Sequence, residues 1–94
     1  MTVKIFIQRK VSTDNILELT SLLKKLRSLT ITQPGYISGE TLKRIDGKEE
    51  CMVISTWRSA EDWNNWLKNE KRVAVQSEID RLLGEETTYA VYET

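Results

Sequence analysis

The chain contains no histidine, and that absence removes a large share of known protein chemistry. Imidazole-ligated metal or haem, Ser-His and Cys-His nucleophile pairs and an imidazole general base are all excluded. There is one cysteine, Cys51, inside an apolar run. It cannot form an intramolecular disulfide and reads as a small buried hydrophobe, which fits a reducing, cytoplasmic compartment. Charge of one sign is missing too: 14 basic side chains balance 14 acidic ones. A nucleic-acid or membrane-surface partner would need a basic excess, so neither is expected. No apolar stretch is long enough for a signal peptide or a bilayer span. With 39% apolar and 30% charged residues over 94 positions, the composition is that of a folded globular chain. Residues 1–94 are read as a single domain.

What is present is strongly patterned. Val3, Ile5, Ile7 and Val11 alternate with Lys4, Gln8 and Lys10, the period of a strand, with Phe6 breaking the polar side. Ser12, Thr13 and Asp14 offer helix-capping chemistry. Ile16, Leu19, Leu22, Leu23, Leu26 and Leu29 then recur at helical spacing, with acids early and bases late along the stripe. Gln33-Pro34-Gly35 stops that helix. Strand two is expected over 36–45, an Asp46-Gly47 hairpin follows, and strand three covers 50–58. Cys51-Met52-Val53-Ile54 is apolar at four successive positions, as in a strand covered on both faces.

Ser59-Ala60-Glu61-Asp62 caps a second helix, in which Trp63, Trp66 and Leu67 share a face. The polar stretch from Lys68 to Lys71 is a point where that helix can kink or break. Val75, Ile79, Leu82 and Leu83 resume the helical period, and Gly84 suits the C-terminal cap. Residues 86–93 read as strand four.

The order β-α-β-β-α-β predicts an α+β, ferredoxin-like fold: a four-stranded antiparallel sheet with its helices on one face. Phe6, strand three and the alternate tyrosines of strand four leave apolar groups on the other face. A surplus apolar face of that kind predicts pairing with a second copy of the chain.

Pro34-Gly35-Tyr36-Ile37-Ser38-Gly39-Glu40, Ile54-Ser55-Thr56-Trp57-Arg58-Ser59 and Trp63-Asn64-Asn65-Trp66-Leu67 together resemble the antibiotic biosynthesis monooxygenase family. The resemblance runs over essentially the whole chain. It implies a dimeric α+β barrel, in which two sheets pack face to face, with a pocket between sheet and helices in each protomer. It also implies a cofactor-independent monooxygenase acting with O2 on a small aromatic substrate, a phenol, quinol or polyketide-like ring. The alternative is a non-catalytic dimeric module for ligand binding or assembly. On the pattern of the family's haem-degrading members, the helix tryptophan falls on Trp66, the histidine position on Gln76 and the strand-one asparagine near Arg9. Two of these three depart from the pattern, so haem degradation is not expected and no cofactor is assigned.

For the cofactor-free chemistry the candidates are Trp66 as pocket wall and N–H donor, Asn65 and Gln76 as amide hydrogen bonders and Tyr36 as phenolic donor. Trp63 is a further substrate contact, and Arg9 a charge to hold an anion. Each has a plainer reading. Trp63 and Trp66 at helical spacing also suit core packing, and Trp57 suits core or dimer interface. Gln76 suits a solvated helix flank. Arg9 falls at an inward position of strand one, where it needs a partner or a ligand unless the strand has already reached solvent.

Overall fold

The computed structural model describes residues 2–11, 13–47 and 49–94. Strand β1 (Val3–Lys10) is followed by a short 3-10 turn (Thr13–Asn15), helix α1 (Ile16–Thr30), strands β2 (Tyr36–Lys43) and β3 (Glu50–Trp57), helices α2 (Ala60–Leu67) and α3 (Glu70–Leu83), and strand β4 (Thr88–Glu93). The four strands form one antiparallel sheet in the order β2-β3-β1-β4. This is the expected ferredoxin-like architecture, with the second helix broken into α2 and α3.

The break falls within the polar stretch from Lys68. Lys68 ends α2, and Asn69 starts α3 in extended conformation, its carboxamide oxygen accepting from the backbone N–H groups of Lys71 and Arg72. That side chain satisfies two of the donors a new helix leaves open, so a fresh start costs little here. Ser59 caps α2 by accepting from the Asp62 N–H at 3.2 Å, and Gly84 closes α3 with φ 75°. The start of α1 differs from expectation. Asn15 holds the cap position without a side-chain cap bond, and its Nδ2 donates instead to the Leu82 carbonyl at 3.2 Å, tying α1 to α3. Ser12, one of the expected caps, lies outside the described residues.

On the helix-covered side of the sheet, Val3, Ile5 and Ile7 pack with Trp57, Trp63 and Trp66. Leu19, Val75 and Ile79 form a second buried cluster that joins α1 to α3. The tryptophans are in mutual contact: Trp57 lies 5.8 Å from Trp63 in an edge arrangement and 6.3 Å from Trp66 in a stacked one. Each buried aromatic removes roughly 150–250 Å² from water, so these three rings dominate the core.

The opposite face carries Phe6, Leu42, Met52, Ile54, Ala90 and Tyr92, brought side by side by the strand register. Phe6 and Tyr92 meet edge to face at 5.1 Å, and Tyr92 is 60% exposed. No helix among the described residues lies over this face.

A candidate cavity between the first helix and the sheet

Strand β2 pairs with β3, and among the described residues no helix packs closely over it, α1 packing against α3 instead. The space left between α1 and the inner face of β1, β2 and β3 is a cavity of about 1050 Å³. Leu19, Leu23 and Leu26 form its helix wall, and Ile7, Val53 and Cys51 form its floor. Volume and lining suit a small, largely apolar molecule.

Tyr36 reaches this cavity because of a β-bulge. Tyr36 pairs with Trp57 and Ser38 with Thr56, so two steps along β2 match one along β3. The extra residue reverses the alternation, placing Tyr36 on the same face as Gly39, Thr41 and Lys43. Both Tyr36 and Gly39 line the cavity. The ring of Tyr36 rests edge-on against Trp57 at 5.4 Å, and its hydroxyl makes no side-chain hydrogen bond among the described residues. The turn before it needs glycine: Gly35 has φ 84°, and a Cβ there would collide with the Asp62 carboxylate.

Arg9 also lines the cavity although it is only 3% exposed. Among the described residues its one side-chain hydrogen bond runs from Nη2 to Gln76 Oε1 at 3.4 Å, and its Nε is buried without a partner. Burial pulls its pKa below the ordinary arginine value, partly offset by Tyr89, Cys51 and Asp80. Gln76 is itself fixed: its Nε2 donates to Asp80 Oδ1 and Thr87 Oγ1, both at 2.8 Å. Thr87 donates to the same carboxylate oxygen from its hydroxyl at 3.1 Å and its N–H at 3.3 Å. The carboxylate nearest Arg9 in this network is thus held one amide away. A second buried arginine, Arg72, donates to Tyr89 Oη at 2.5 Å and to the Leu67 carbonyl at 3.2 Å.

Of the six residues expected at a site, two line the cavity, Tyr36 and Arg9, and Gln76 touches it through Arg9. Gln76 is 7% exposed, so the solvated-flank reading does not hold. Trp63 and Trp66, at 2% and 4% exposure, sit in the packed aromatic core and do not line the cavity. Trp66 is therefore not the cavity wall expected from its helical position, because Trp57 stands against it. Asn65 is exposed on α2 and is likewise absent from the lining. Cys51 is only partly buried and faces the cavity, where burial pushes its thiol up while Arg9 pulls it down. Sequence reasoning missed Gly39, Asp80 and Thr87, since no local pattern marks a glycine that makes room or a polar pair that meets across a helix end.

The protein is thus a small α+β domain of the ferredoxin-like class, with a cavity under one helix. The family model for antibiotic biosynthesis monooxygenase matches residues 2–78, and the chain belongs to that family. Among solved structures it is similar to a conserved protein from Methanosarcina mazei, with a TM-score of 0.90 at 15% identity over 100% of this chain and 93% of that one. It is similar to SnoaB, a cofactor-independent oxygenase from Streptomyces nogalater, with a TM-score of 0.85 at 15% identity over 99% and 92% of the two chains. Rv0793 from Mycobacterium tuberculosis gives 0.86 at 17% identity over 100% and 95%. At these identities the likeness is one of fold. No relative among curated proteins matches at a significant level.

Proposed function

We propose that this protein is a cofactor-independent monooxygenase that oxidises a small aromatic substrate, a phenol, quinol or polyketide-like ring, inside the cavity between α1 and the sheet. The observation that carries this reading is the pairing of Tyr36 and Arg9 on one cavity walled by Ile7, Leu19, Leu23, Leu26 and Val53, in a chain of this family. An electron-rich ring that loses a proton to solvent passes an electron to O2; the radical pair recombines and regains a proton as a hydroperoxide, and loss of water leaves a new carbonyl. The protein's part is to bind the ring away from bulk water, to place a hydrogen-bond donor at the developing oxyanion and to stabilise negative charge. Tyr36 is the donor and Arg9 the charge, with Gln76 holding Arg9. Trp63 and Trp66 support the site from the core behind Trp57, and Asn65 is left without a role at this cavity. Gln76, bound to Asp80 and Thr87, offers no axial ligand, so the residues do not fit haem.

The second sheet face supports a homodimer, in which Phe6, Ile54 and Tyr92 of each copy are covered by the other. No helix among the described residues is long and apolar enough to cross a membrane. The test of the enzyme reading is oxygen consumption with a panel of quinols and anthrones, comparing wild type with Tyr36→Phe. Turnover that falls in the variant supports it. No oxygen uptake with any member, alongside tight binding of the same compounds, gives the non-catalytic binding module instead.

A further inference from the structure

The charge around the cavity is not the charge of the chain. The protein as a whole is neutral, with 14 cations and 14 anions. Yet the described lining residues include Arg9, Lys24, Arg27, Lys43 and Arg44 against only two carboxylates, Glu49 and Glu50. Arg44 is engaged with Asp46 and Glu50 in ion pairs at the rim. Lys24, Arg27 and Lys43 are exposed around the opening. A cleft lined by one sign of charge over low-dielectric walls concentrates ligands of the opposite sign.

At the inner wall the imbalance is sharper. A guanidinium presents five N–H donors, and among the described residues this one makes a single long hydrogen bond, to a neutral amide. Its Nε has no partner among the described residues, which leaves a buried cation short of hydrogen bonds. Asp80 could have neutralised it, but Gln76 stands between, its carboxamide oriented by Asp80 and Thr87 so that only the carbonyl end faces Arg9. A buried arginine in direct contact with a carboxylate would be closed to a ligand. The amide spacer keeps this one open.

We infer that the cavity takes its ligand as an anion, an apolar aromatic body bearing a planar oxyanion (a carboxylate or a phenolate) seated on Arg9, with Gln76, Asp80 and Thr87 as residues that position the guanidinium. This rests on the cavity being the substrate site as proposed above, and it names the substrate's charge. Exposed Lys24, Arg27 and Lys43 act on approach, and Arg9 acts on the bound state.

The test uses ligands that undergo no oxidation. Calorimetric binding of 2-naphthoate is compared with its neutral isostere 2-acetylnaphthalene, and 4-nitrophenolate with 4-nitroanisole, on the wild-type protein. At least one anion should bind tighter than its neutral partner by about tenfold or more, the scale of a hydrogen bond to a charged group. Which pair shows the preference separates carboxylate from phenolate. Arg9→Met should abolish it while leaving the neutral isostere's affinity within about twofold. Should Arg9→Met not fold by circular dichroism, Thr87→Val, which removes one restraint on Gln76, should still narrow the preference. Equal affinity for anion and isostere in the wild type, or binding of none of the four, overturns the inference. A protein that prefers the anions but consumes no oxygen with quinols keeps this inference and loses the monooxygenase. One that oxidises quinols without preferring anions does the reverse.

Discussion

The hydroxyl of Tyr36 lies 2.6 Å from the point where a Cβ on Gly39 would stand, so the tyrosine occupies its place in the cavity only because the residue three positions along has no side chain. Real Cβ atoms do not come that close to another heavy atom. Gly39→Ala should therefore displace the Tyr36 ring and leave the sheet intact, since Gly39 needs no unusual backbone angle. The expected outcome is a thermal midpoint changed by only a few degrees, with a stability effect of about 1 kcal/mol or less. Oxygen uptake should fall to about the level of Tyr36→Phe, by the order of tenfold typical of a mispositioned donor. Unchanged turnover in Gly39→Ala would remove Tyr36 from the chemistry.

Trp66 is a core residue in the structure, stacked on Trp57 at 6.3 Å. Trp66→Ala should cost about 3–5 kcal/mol, the range for deleting a buried aromatic and a large fraction of the stability of a small domain. Trp66→Phe keeps a ring in the same space and should retain oxygen uptake within a few-fold while lowering the urea midpoint. A Trp66→Phe variant with wild-type stability and no activity would restore this residue to the site.

The separate start of α3 depends on Asn69. Its side chain accepts two backbone N–H groups, at 3.0 and 3.2 Å, where an alanine would leave both open. Asn69→Ala should destabilise by about 0.5–2 kcal/mol in chemical denaturation, and Asn69→Asp by much less. Ser59→Ala, which removes the cap of α2, should fall in the same range.

Stability should decline in alkali. Burial pushes the Cys51 thiol up, against the pull of Arg9, and burial pushes the Tyr89 phenol up, against Arg72 and Arg9. In the unfolded chain these groups ionise near their ordinary values, about 8.5 for the thiol and about 10 for the phenol. Above those values the unfolded chain has released protons that the folded chain still holds, so folding stability falls as pH rises. Below about pH 8 both contributions are complete and the urea midpoint should be flat with respect to them. Cys51→Ala should remove the earlier part of the decline and Tyr89→Phe the later part. A midpoint that climbs between pH 8 and pH 10 would contradict this assignment.

The uncovered sheet face predicts self-association. Ile54 pairs in register with Phe6 and with Glu40 on that face, away from the cavity. Sedimentation at micromolar concentration should give a dimer for wild type, and Ile54→Lys should give a monomer with the same cavity. A monomeric wild type would contradict the proposed dimer directly.

Much of the fold is legible in local periodicity. The two-residue repeat of Val3, Ile5 and Ile7 and the helical stripe from Ile16 to Leu29 each report which face a residue presents, because strand and helix geometry fix that spacing. Arg9 was marked by parity, as a charge at an inward position, and by the family resemblance, whose strand-one asparagine falls near it. Gly84, Ser59 and the break near Lys68 were readable because caps and breakers act on neighbouring backbone. The cavity was harder. Parity puts Tyr36 and Gly39 on opposite faces, and only the bulge, a property of how β2 registers against β3, brings them together. Trp66 has the same helical signature whether it faces a pocket or a packed ring, so its place depended on Trp57, a residue nine positions earlier on another element.

By itself, then, the amino-acid sequence determined the elements, their order, the apolar character of both sheet faces and the exclusion of imidazole chemistry, since these follow from composition and from interactions within a few residues. The tertiary structure alone decided that α1 leans on α3 and leaves β2 uncovered, that the cavity opens there and not beside Trp66, and that Gln76 separates Arg9 from Asp80. Arg9 and Gln76 meet across 67 positions, and the cavity lies between separate elements, where packing and register choose among arrangements that local pattern leaves equal.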